Sequence, residues 1–224
     1  LQEGAALLQE GGLGTLRVGL GSGPGAMLMT PWLVFMARHH PTVQVTVSRG
    51  STELQLTQLR ERQLDALVVD VRRVEAAPDL KMAHVVEMRA GFVCRQGHPL
   101  LGLYPEGAPF DALLAYPIAS IQLSQEVARL LVDHYGPQAN PAQMTTLQCE
   151  DIASLLDVVG QTDAIYLGIV GAARECMAQG CLAELPMRTP LKGQARLGLI
   201  TLAGRTELPA LSVFREFVQK HMTD

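Results

Sequence analysis

Short runs rich in Val and Leu alternate with stretches of helical length over the first third of the chain. Residues 16–20, 43–48 and 65–71 predict strands, and residues 25–38 and 51–62 predict the helices between them. Ser51 directly follows Gly50 and is a suitable residue to cap the second helix. Strands that alternate with helices in this way are typical of βαβ units, so we expect an α/β fold with a parallel sheet.

A second alternating block follows a different middle segment. Residues 82–87 and 90–95 predict two strands, and residues 98–109 a crossover. Apolar side chains spaced by three or four residues predict one-faced helices that include Val127, Leu130 and Leu131, and Leu155 and Leu156. The predicted strands of this block are 116–120, 144–147, 164–167 and 195–201, and its helices are 124–135, 150–159, 171–178 and 207–221. We therefore expect two subdomains, one formed by residues 14–95 with 193–224 and the other by residues 96–192.

Composition limits the class of protein. With 48% hydrophobic and 18% charged residues among 224, the chain has enough apolar side chains for a folded core. Its net charge is −4 and its three lysines form no basic run, so this chain is not expected to bind DNA by itself. It contains no apolar run of about 20 residues and no pattern of a signal peptide. We expect a cytoplasmic protein that does not enter a membrane.

The four cysteines lie too far apart for paired metal-binding motifs, and we interpret them as reduced thiols without a metal. The turn after the first strand, from Gly21 through Gly23 to Ala26, fits the spacing of a dinucleotide-binding loop, and Arg49 at the end of the next strand would suit NADP. However, no tyrosine is followed four residues later by lysine, and few residues are present that transfer protons. We therefore expect no enzyme and no cofactor, with an NADP-dependent oxidoreductase as a remote alternative.

Two predicted helix starts carry the binding hypothesis. Backbone amides beside Ser22, and again beside Ser51 and Thr52, could bind an anionic or carbonyl group. Because neighbouring parallel strands end at the same edge of a sheet, both helix starts should face one crevice. Each feature taken alone could also be a capping residue and a tight turn.

The order of these pieces resembles the effector-binding domain of LysR-type transcriptional regulators, over nearly the whole chain from Gly12 to the final helix. The matching segments begin with Gly14-Thr-Leu-Arg-Val-Gly19, continue through Val43-Gln-Val-Thr-Val and Gly50-Ser51, and include Leu64-Asp65-Ala66-Leu67. Later segments are Pro78-Asp79-Leu80, Gly97-His98-Pro99-Leu100, Tyr116-Pro117 and Thr162-Asp163-Ala164-Ile165. The resemblance implies two Rossmann-like subdomains joined by two crossover strands, as in type 2 periplasmic binding proteins.

The resemblance also implies a function. Such a domain senses a small effector in the cleft between its lobes and forms dimers, which become tetramers in the full-length regulator. Residues 1–13 resemble the end of the linker helix, and a winged helix-turn-helix preceding it would make all contacts with DNA. The positions that correspond to the ligand contacts of the family are Gly21, Ser22, Gly23, Ser51, Thr52, Ile121, Gln122, Leu123, Leu167 and Gly168.

Two further questions concern the ligand and the class of protein. Sparse charge near the implied pocket favours a small monoanion, such as a carboxylate, or a neutral polar molecule. Cys176 and Cys181 are closer in sequence than the reactive pair of peroxide-sensing members, so redox sensing is not expected. The main alternative function is that of a solute-binding protein of a transport system, which shares the two-lobed fold.

Overall fold

A computed structural model describes residues 14–204 and 208–223 of the chain. In its first part the elements are β1 (Leu16–Leu20), α1 (Ser22–His39), β2 (Val45–Arg49), α2 (Thr52–Arg60), β3 (Ala66–Asp70), β4 (Leu80–Arg95), α3 (Pro99–Leu103) and α4 (Phe110–Leu113). They are followed by β5 (Ile118–Ser120), α5 (Gln125–Tyr135), α6 (Pro141–Met144), β6 (Thr145–Gln148), α7 (Ile152–Gln161), β7 (Ile165–Ile169), α8 (Arg174–Ala178), β8 (Leu182–Glu184), β9 (Gln194–Leu202) and α9 (Pro209–His221). Short 3₁₀ turns span Val71–Arg73, Pro137–Ala139 and Val170–Ala173.

The chain folds into two compact units. Unit 1 extends to Glu87 and resumes at Arg196, and unit 2 spans Met88–Ala195. The chain therefore passes from one unit to the other twice, within β4 and within β9. The predicted end of a linker helix, residues 1–13, lies outside the described residues.

Unit 1 is built on a mixed sheet in the order β2, β1, β3, β9. β1 is parallel to both β2 and β3, whereas β9 is antiparallel to β3. On one layer, Leu59 of α2 packs with strand residues such as Leu67 and Ile200. On α1, Trp32 lies 4.9 Å from Phe214 and 5.1 Å from Phe217 between ring centroids, so α9 packs against α1. The predicted parallel βαβ arrangement is confirmed for this unit.

Unit 2 has its own mixed sheet and its own core. β5 is parallel to β6 and β7, and β4 is antiparallel to β7 and β8. The hydrophobic core includes Phe92 of β4, Leu131 of α5 and Leu167 of β7. Leu131 belongs to the predicted apolar face of α5. Ser124 caps this helix by accepting a hydrogen bond from the Val127 amide at 3.3 Å.

The structure corrects several predicted boundaries. The two strands predicted at 82–87 and 90–95 are one strand, β4, because no turn separates them: Met88 is buried and the Ala90 amide donates to the Gly193 carbonyl at 2.8 Å. The predicted crossover at 98–109 contains α3, since Pro99 suits a first helical position and His98 caps that helix. The short strand β8 was not predicted at all.

Helix starts were also misplaced. α1 begins at Ser22 and not at Gly25, because the Gly25 amide already donates to the Gly21 carbonyl at 2.7 Å and closes the first turn. α7 begins at Ile152, two residues later than predicted, with Asp151 at the N-cap position. Cys149 lies in the loop before this helix and is exposed.

Candidate functional site

The carboxyl ends of β1 and β2 bring the predicted residues of unit 1 together. The two strands are paired to their last residues, with Leu20 opposite Arg49. Directly after Leu20, Gly21 is the N-cap of α1, and two residues after Arg49, Ser51 is the N-cap of α2. The starts of α1 and α2, with Gly21, Ser22 and Gly23 on one and Ser51 and Thr52 on the other, therefore lie at the same edge of the sheet.

The start of α1 combines backbone donors with a nearby cation. Gly21 has no side chain with which to cap the helix, and its own amide donates to the Val68 carbonyl at 2.9 Å. A Cβ placed on Gly25 would lie 3.4 Å from Arg49 Nε, so the guanidinium lies against the first turn of α1. The positive end of the helix dipole and this guanidinium both favour an anionic group at this edge of the sheet.

Ser51 has a capping role that leaves a donor available. Its Oγ accepts a hydrogen bond from the Leu54 amide at 3.3 Å, which confirms the predicted cap. A hydroxyl has one hydrogen and two lone pairs, so accepting this bond does not use its O–H group. Ser51 is exposed. Its hydroxyl is therefore chemically able to cap α2 and to donate to a ligand at the same time.

Gln55 of α2 was not predicted from the sequence, and it contacts the ends of β1 and β2. Its side chain is completely buried, and its Nε2 donates to the carbonyls of Leu20 and Ser48, each at 3.3 Å. One signal was present in the sequence: Gln55 precedes Leu59 by four residues, so it belongs to the apolar face of α2.

In unit 2, some of the predicted residues follow the end of β5 and the others lie within β7. Ser120, the last residue of β5, is buried and donates from Oγ to the Leu167 carbonyl at 2.8 Å. Ile121, Gln122 and Leu123 follow β5 directly, and the Gln122 amide donates to Glu150 Oε1 at 3.1 Å. The structure therefore places the loop after β5 next to the residues just before α7.

Leu167 and Gly168 occupy different positions from those expected. Both lie within β7, which continues to Ile169, and Gly168 is paired with Gly91 of β4. The Leu167 side chain belongs to the core of unit 2. A Cβ on Gly168 would overlap the phenol oxygen of Tyr166, whose pKa is raised by burial. Any contact that these two residues make with a ligand would therefore involve their backbone.

The surroundings of two thiols, Cys94 and Cys176, favour the protonated form. All four cysteines are free, and burial raises the pKa of Cys94 to about 12. The pKa of Cys176 is also raised, first by burial and then by the neighbouring Cys181 and by acidic groups. Because the thiolate is the reactive form, burial disfavours reaction at Cys94 and Cys176.

A separate cavity lies on unit 2, away from the predicted residues. It has a volume of about 420 Å³ and is lined along α5 and by Lys192. Its lining includes Arg129 and Asp133, which carry opposite charges. Within residues 14–204 and 208–223, no group of three or more His, Cys, Asp or Glu side chains is arranged to bind a metal. No helix in those ranges has both the length and the apolarity needed to cross a bilayer.

Comparison with known families decides the class of the chain. Residues 9–223 match the model of the LysR substrate binding domain, which covers nearly the whole sequence. The chain belongs to this LysR family. A curated relative, the SDS degradation transcriptional activation protein of Pseudomonas sp. (strain ATCC 19151), is 31% identical over 219 residues, which are 97% of this chain and 70% of the relative.

Solved structures of LysR-type domains share the fold. The regulatory domain of CrgA, a LysR-type regulator from Neisseria meningitidis, superimposes with a TM-score of 0.70 at 14% identity, covering 93% of this chain and 98% of that one. The reduced OxyR regulatory domain from Pseudomonas aeruginosa gives a TM-score of 0.67 at 15% identity, with the same coverage. At these identities the likeness concerns the fold.

Membership of the LysR family selects among the functions considered from the sequence. The chain is the effector-binding domain of a transcriptional regulator and has the fold of a periplasmic binding protein. Domains of this family bind small-molecule effectors and oligomerise. This function is favoured over those of a transport protein and of an NADP-dependent oxidoreductase.

Proposed function

We propose that this LysR domain binds a small polar or carboxylate effector, and that the strand-end residues of its units form the contacts. In unit 1 these residues are Gly21, Ser22, Gly23, Ser51 and Thr52, and in unit 2 they are Ile121, Gln122, Leu123, Leu167 and Gly168. The observation that carries the proposal is the pairing of Leu20 with Arg49, since it places the starts of α1 and α2 side by side. We further propose that the domain is not catalytic and acts in a cytoplasmic regulator.

The chemistry of unit 1 supports an anionic head group. Backbone amides at the start of α1, the Ser51 hydroxyl and the Arg49 guanidinium are all donors, and hydrogen bonds to charged groups are stronger than neutral ones. The first turn of α1 contains no acidic residue, and the first turn of α2 contains one, Glu53. A monoanion therefore suits this edge better than a cation does.

Three ligands that share a six-carbon alkyl group but differ in their head group test whether the head group is recognised. The Pseudomonas relative is named for SDS degradation, and an alkyl sulfate carries a single negative charge, as a carboxylate does. We would compare hexyl sulfate, hexanoate and uncharged hexanol by calorimetry. Binding of either anion with no binding of hexanol would support the proposal, whereas equal binding of all three would show that the head group is not recognised.

Variants of Ser51 separate capping from binding. Ser51→Asp keeps an acceptor for the Leu54 amide but removes the O–H donor and adds a negative charge, so the helix should stay capped while anion binding falls roughly tenfold or more. Ser212→Ala is a matched control, because that hydroxyl donates to the Pro209 carbonyl in α9 and lies in the same unit. Wild-type affinity in Ser51→Asp would exclude Ser51 from the site.

We also propose that the domain forms a homodimer, that the full-length regulator is a tetramer, and that DNA is bound only by an N-terminal winged helix-turn-helix. The exposed apolar side chains of Leu33 and Val34 on α1 support a shared helical face. An effector would switch such a regulator only if it bound one arrangement of the oligomer more tightly than another.

A further inference from the structure

Gln55 is a buried polar residue, and neither helix capping nor core packing explains why a polar side chain occupies this position. It is 0% exposed and lies on the inner face of α2, where Leu59 one turn later contributes to the core of unit 1. A leucine or methionine would fill the same space without the cost of removing an amide from water. The two hydrogen bonds that the amide makes therefore indicate its role.

Both acceptors lie at the ends of strands. Leu20 is the last residue of β1, and Gly21, the N-cap of α1, follows it directly. Ser48 is the next-to-last residue of β2, three residues before Ser51, the N-cap of α2. By donating to both carbonyls, Gln55 Nε2 ties together the two points from which the candidate binding helices begin.

The orientation of this amide is determined by its neighbours. Two carbonyl oxygens face Nε2, so rotating the amide by half a turn would place Oε1 against two other acceptors. Oε1 is buried and has no partner among the described residues. A Cβ on Gly19 would lie 2.7 Å from Leu67 Cδ2, 3.0 Å from Leu64 Cδ1 and 3.1 Å from Gln55 Cδ, so the amide and both leucines pack closely against this glycine. The side chain is therefore held by its two donated bonds and by packing.

We propose that Gln55 is a positioning residue of effector binding: it fixes the ends of β1 and β2 so that the amides of α1 and the Ser51 hydroxyl address one ligand group. This inference rests on the proposed function of unit 1. It makes Gln55 act through Gly21 and Ser51, because the buried amide itself does not reach the surface.

The test uses two variants of Gln55 and one control. Gln55→Met keeps the length of the side chain and removes both hydrogen bonds. Gln55→Glu keeps the shape, but the ionised carboxylate has no proton to donate, whereas the protonated form can donate one. Val218→Ala is the control, since Val218 is buried in α9 of the same unit, so that the variant lowers stability and leaves the two hydrogen bonds of Gln55 in place.

The first measurement is amide hydrogen exchange by NMR, which requires no ligand. The Gly21 amide bonds to Val68 and the Leu54 amide to Ser51, so both report on the strand ends. In Gln55→Met their exchange should rise about tenfold above that in Val218→Ala after correction for global stability. Equal protection in the two variants would overturn the proposal.

The second measurement is a titration with inorganic sulfate, followed through the amide shifts of Ser22 and Gly23. We expect about tenfold weaker binding in Gln55→Met and a change of less than about twofold in Val218→Ala. In Gln55→Glu, affinity should recover partly as the pH falls from about 8 to about 5, because the carboxyl then regains a donor while sulfate stays ionised. Wild-type affinity for sulfate in Gln55→Met, or an equal loss of affinity in Val218→Ala, would overturn the positioning role and leave Gln55 only a role in core packing.

The two proposals fail in different ways. If sulfate shifts no amide of unit 1 in the unmodified chain, the proposed anion site is wrong. The exchange measurement then still decides whether Gln55 holds the strand ends, and unchanged exchange in Gln55→Met would overturn that as well.

Discussion

Asp65 and Arg17 connect the beginnings of two neighbouring strands. Asp65 Oδ2 accepts the backbone amide of Arg17 at 2.9 Å, and Oδ1 accepts from the Arg17 guanidinium at 3.2 Å. In return, the Asp65 amide donates to the Arg17 carbonyl at 2.7 Å. The Asp65 side chain is 3% exposed, so these contacts replace the water it would otherwise bind. The aspartate of the Leu64-Asp65-Ala66-Leu67 segment is thus a structural residue directly before β3.

Asp65→Asn should therefore destabilise unit 1. Asparagine would lose the charge that pairs with Arg17 and would present an amide donor to another donor, at a cost of about 1–3 kcal/mol in unfolding free energy. Urea denaturation followed by circular dichroism measures this change. Asp79→Asn is the matched control, because its pair with Arg60 at 2.8 Å is solvent-exposed, and a far smaller change is expected. Equal losses in both variants would contradict the structural role of Asp65.

Gly168 should not tolerate a methyl group. An added Cβ would overlap the Tyr166 hydroxyl, and this phenol is buried, so Gly168→Ala should lower the free energy of unfolding by about 1–3 kcal/mol through overpacking. Gly102→Ala provides the comparison within the same unit, since no atom lies within 4 Å of its added Cβ and the site is helical. There the change should be neutral or slightly stabilising. Thermal unfolding of both variants tests the pair.

Reaction with a thiol reagent should separate the four cysteines. Exposed Cys149 and Cys181 should react rapidly at neutral pH, whereas Cys94, with its pKa raised to about 12 by burial, should react only when the chain unfolds. Cys176 should be slow because its pKa is also raised. Absorbance of released thionitrobenzoate, with Cys149→Ser and Cys181→Ser for assignment, measures the rates. Rapid labelling of Cys94 in the folded chain would contradict its buried position.

The proposed dimer predicts a mass of twice 24.2 kDa in sedimentation equilibrium at tens of micromolar. Leu33→Glu should shift the equilibrium towards monomer, because Leu33 is 44% exposed on α1 and a charge there would have to be buried in the interface. Leu103→Glu is a control at another exposed leucine, 68% exposed on α3. A monomeric unmodified chain, or equal effects of the two changes, would exclude α1 as the shared face.

Local sequence patterns predicted the helices and strands well wherever a residue type strongly prefers one structural position, such as a helix cap or a core-facing position. Ser51 was identified as a cap because Ser beside Gly at a helix start has few other uses, and Leu131 as a core residue from its spacing. The predictions failed where distant contacts decide. β4 remains extended through Met88 because the Ala90 amide bonds to Gly193, more than a hundred residues later in the chain. No local pattern contains that partner.

The candidate site shows the same division. Gly21 to Gly23 and Ser51 to Thr52 were predicted together because parallel strands end at one edge. In unit 2, however, β7 extends two residues further than its apolar run indicated, so Gly168 lies inside the strand, and the Leu167 side chain lies in the core. Gln55 was not predicted because glutamine is usually a surface residue. Its burial depends on hydrogen bonds to the Leu20 and Ser48 carbonyls, which the sequence does not show.

The return of the chain to unit 1 at Arg196 affects the order in which the protein can fold during synthesis. Unit 2 is one continuous segment and is complete before the ribosome has made the rest of β9 and α9. Until then, Trp32 lacks Phe214 and Phe217, and the face of α1 that they cover stays open to chaperones and proteases. A chain that stopped before α9 would therefore leave this apolar face of α1 uncovered.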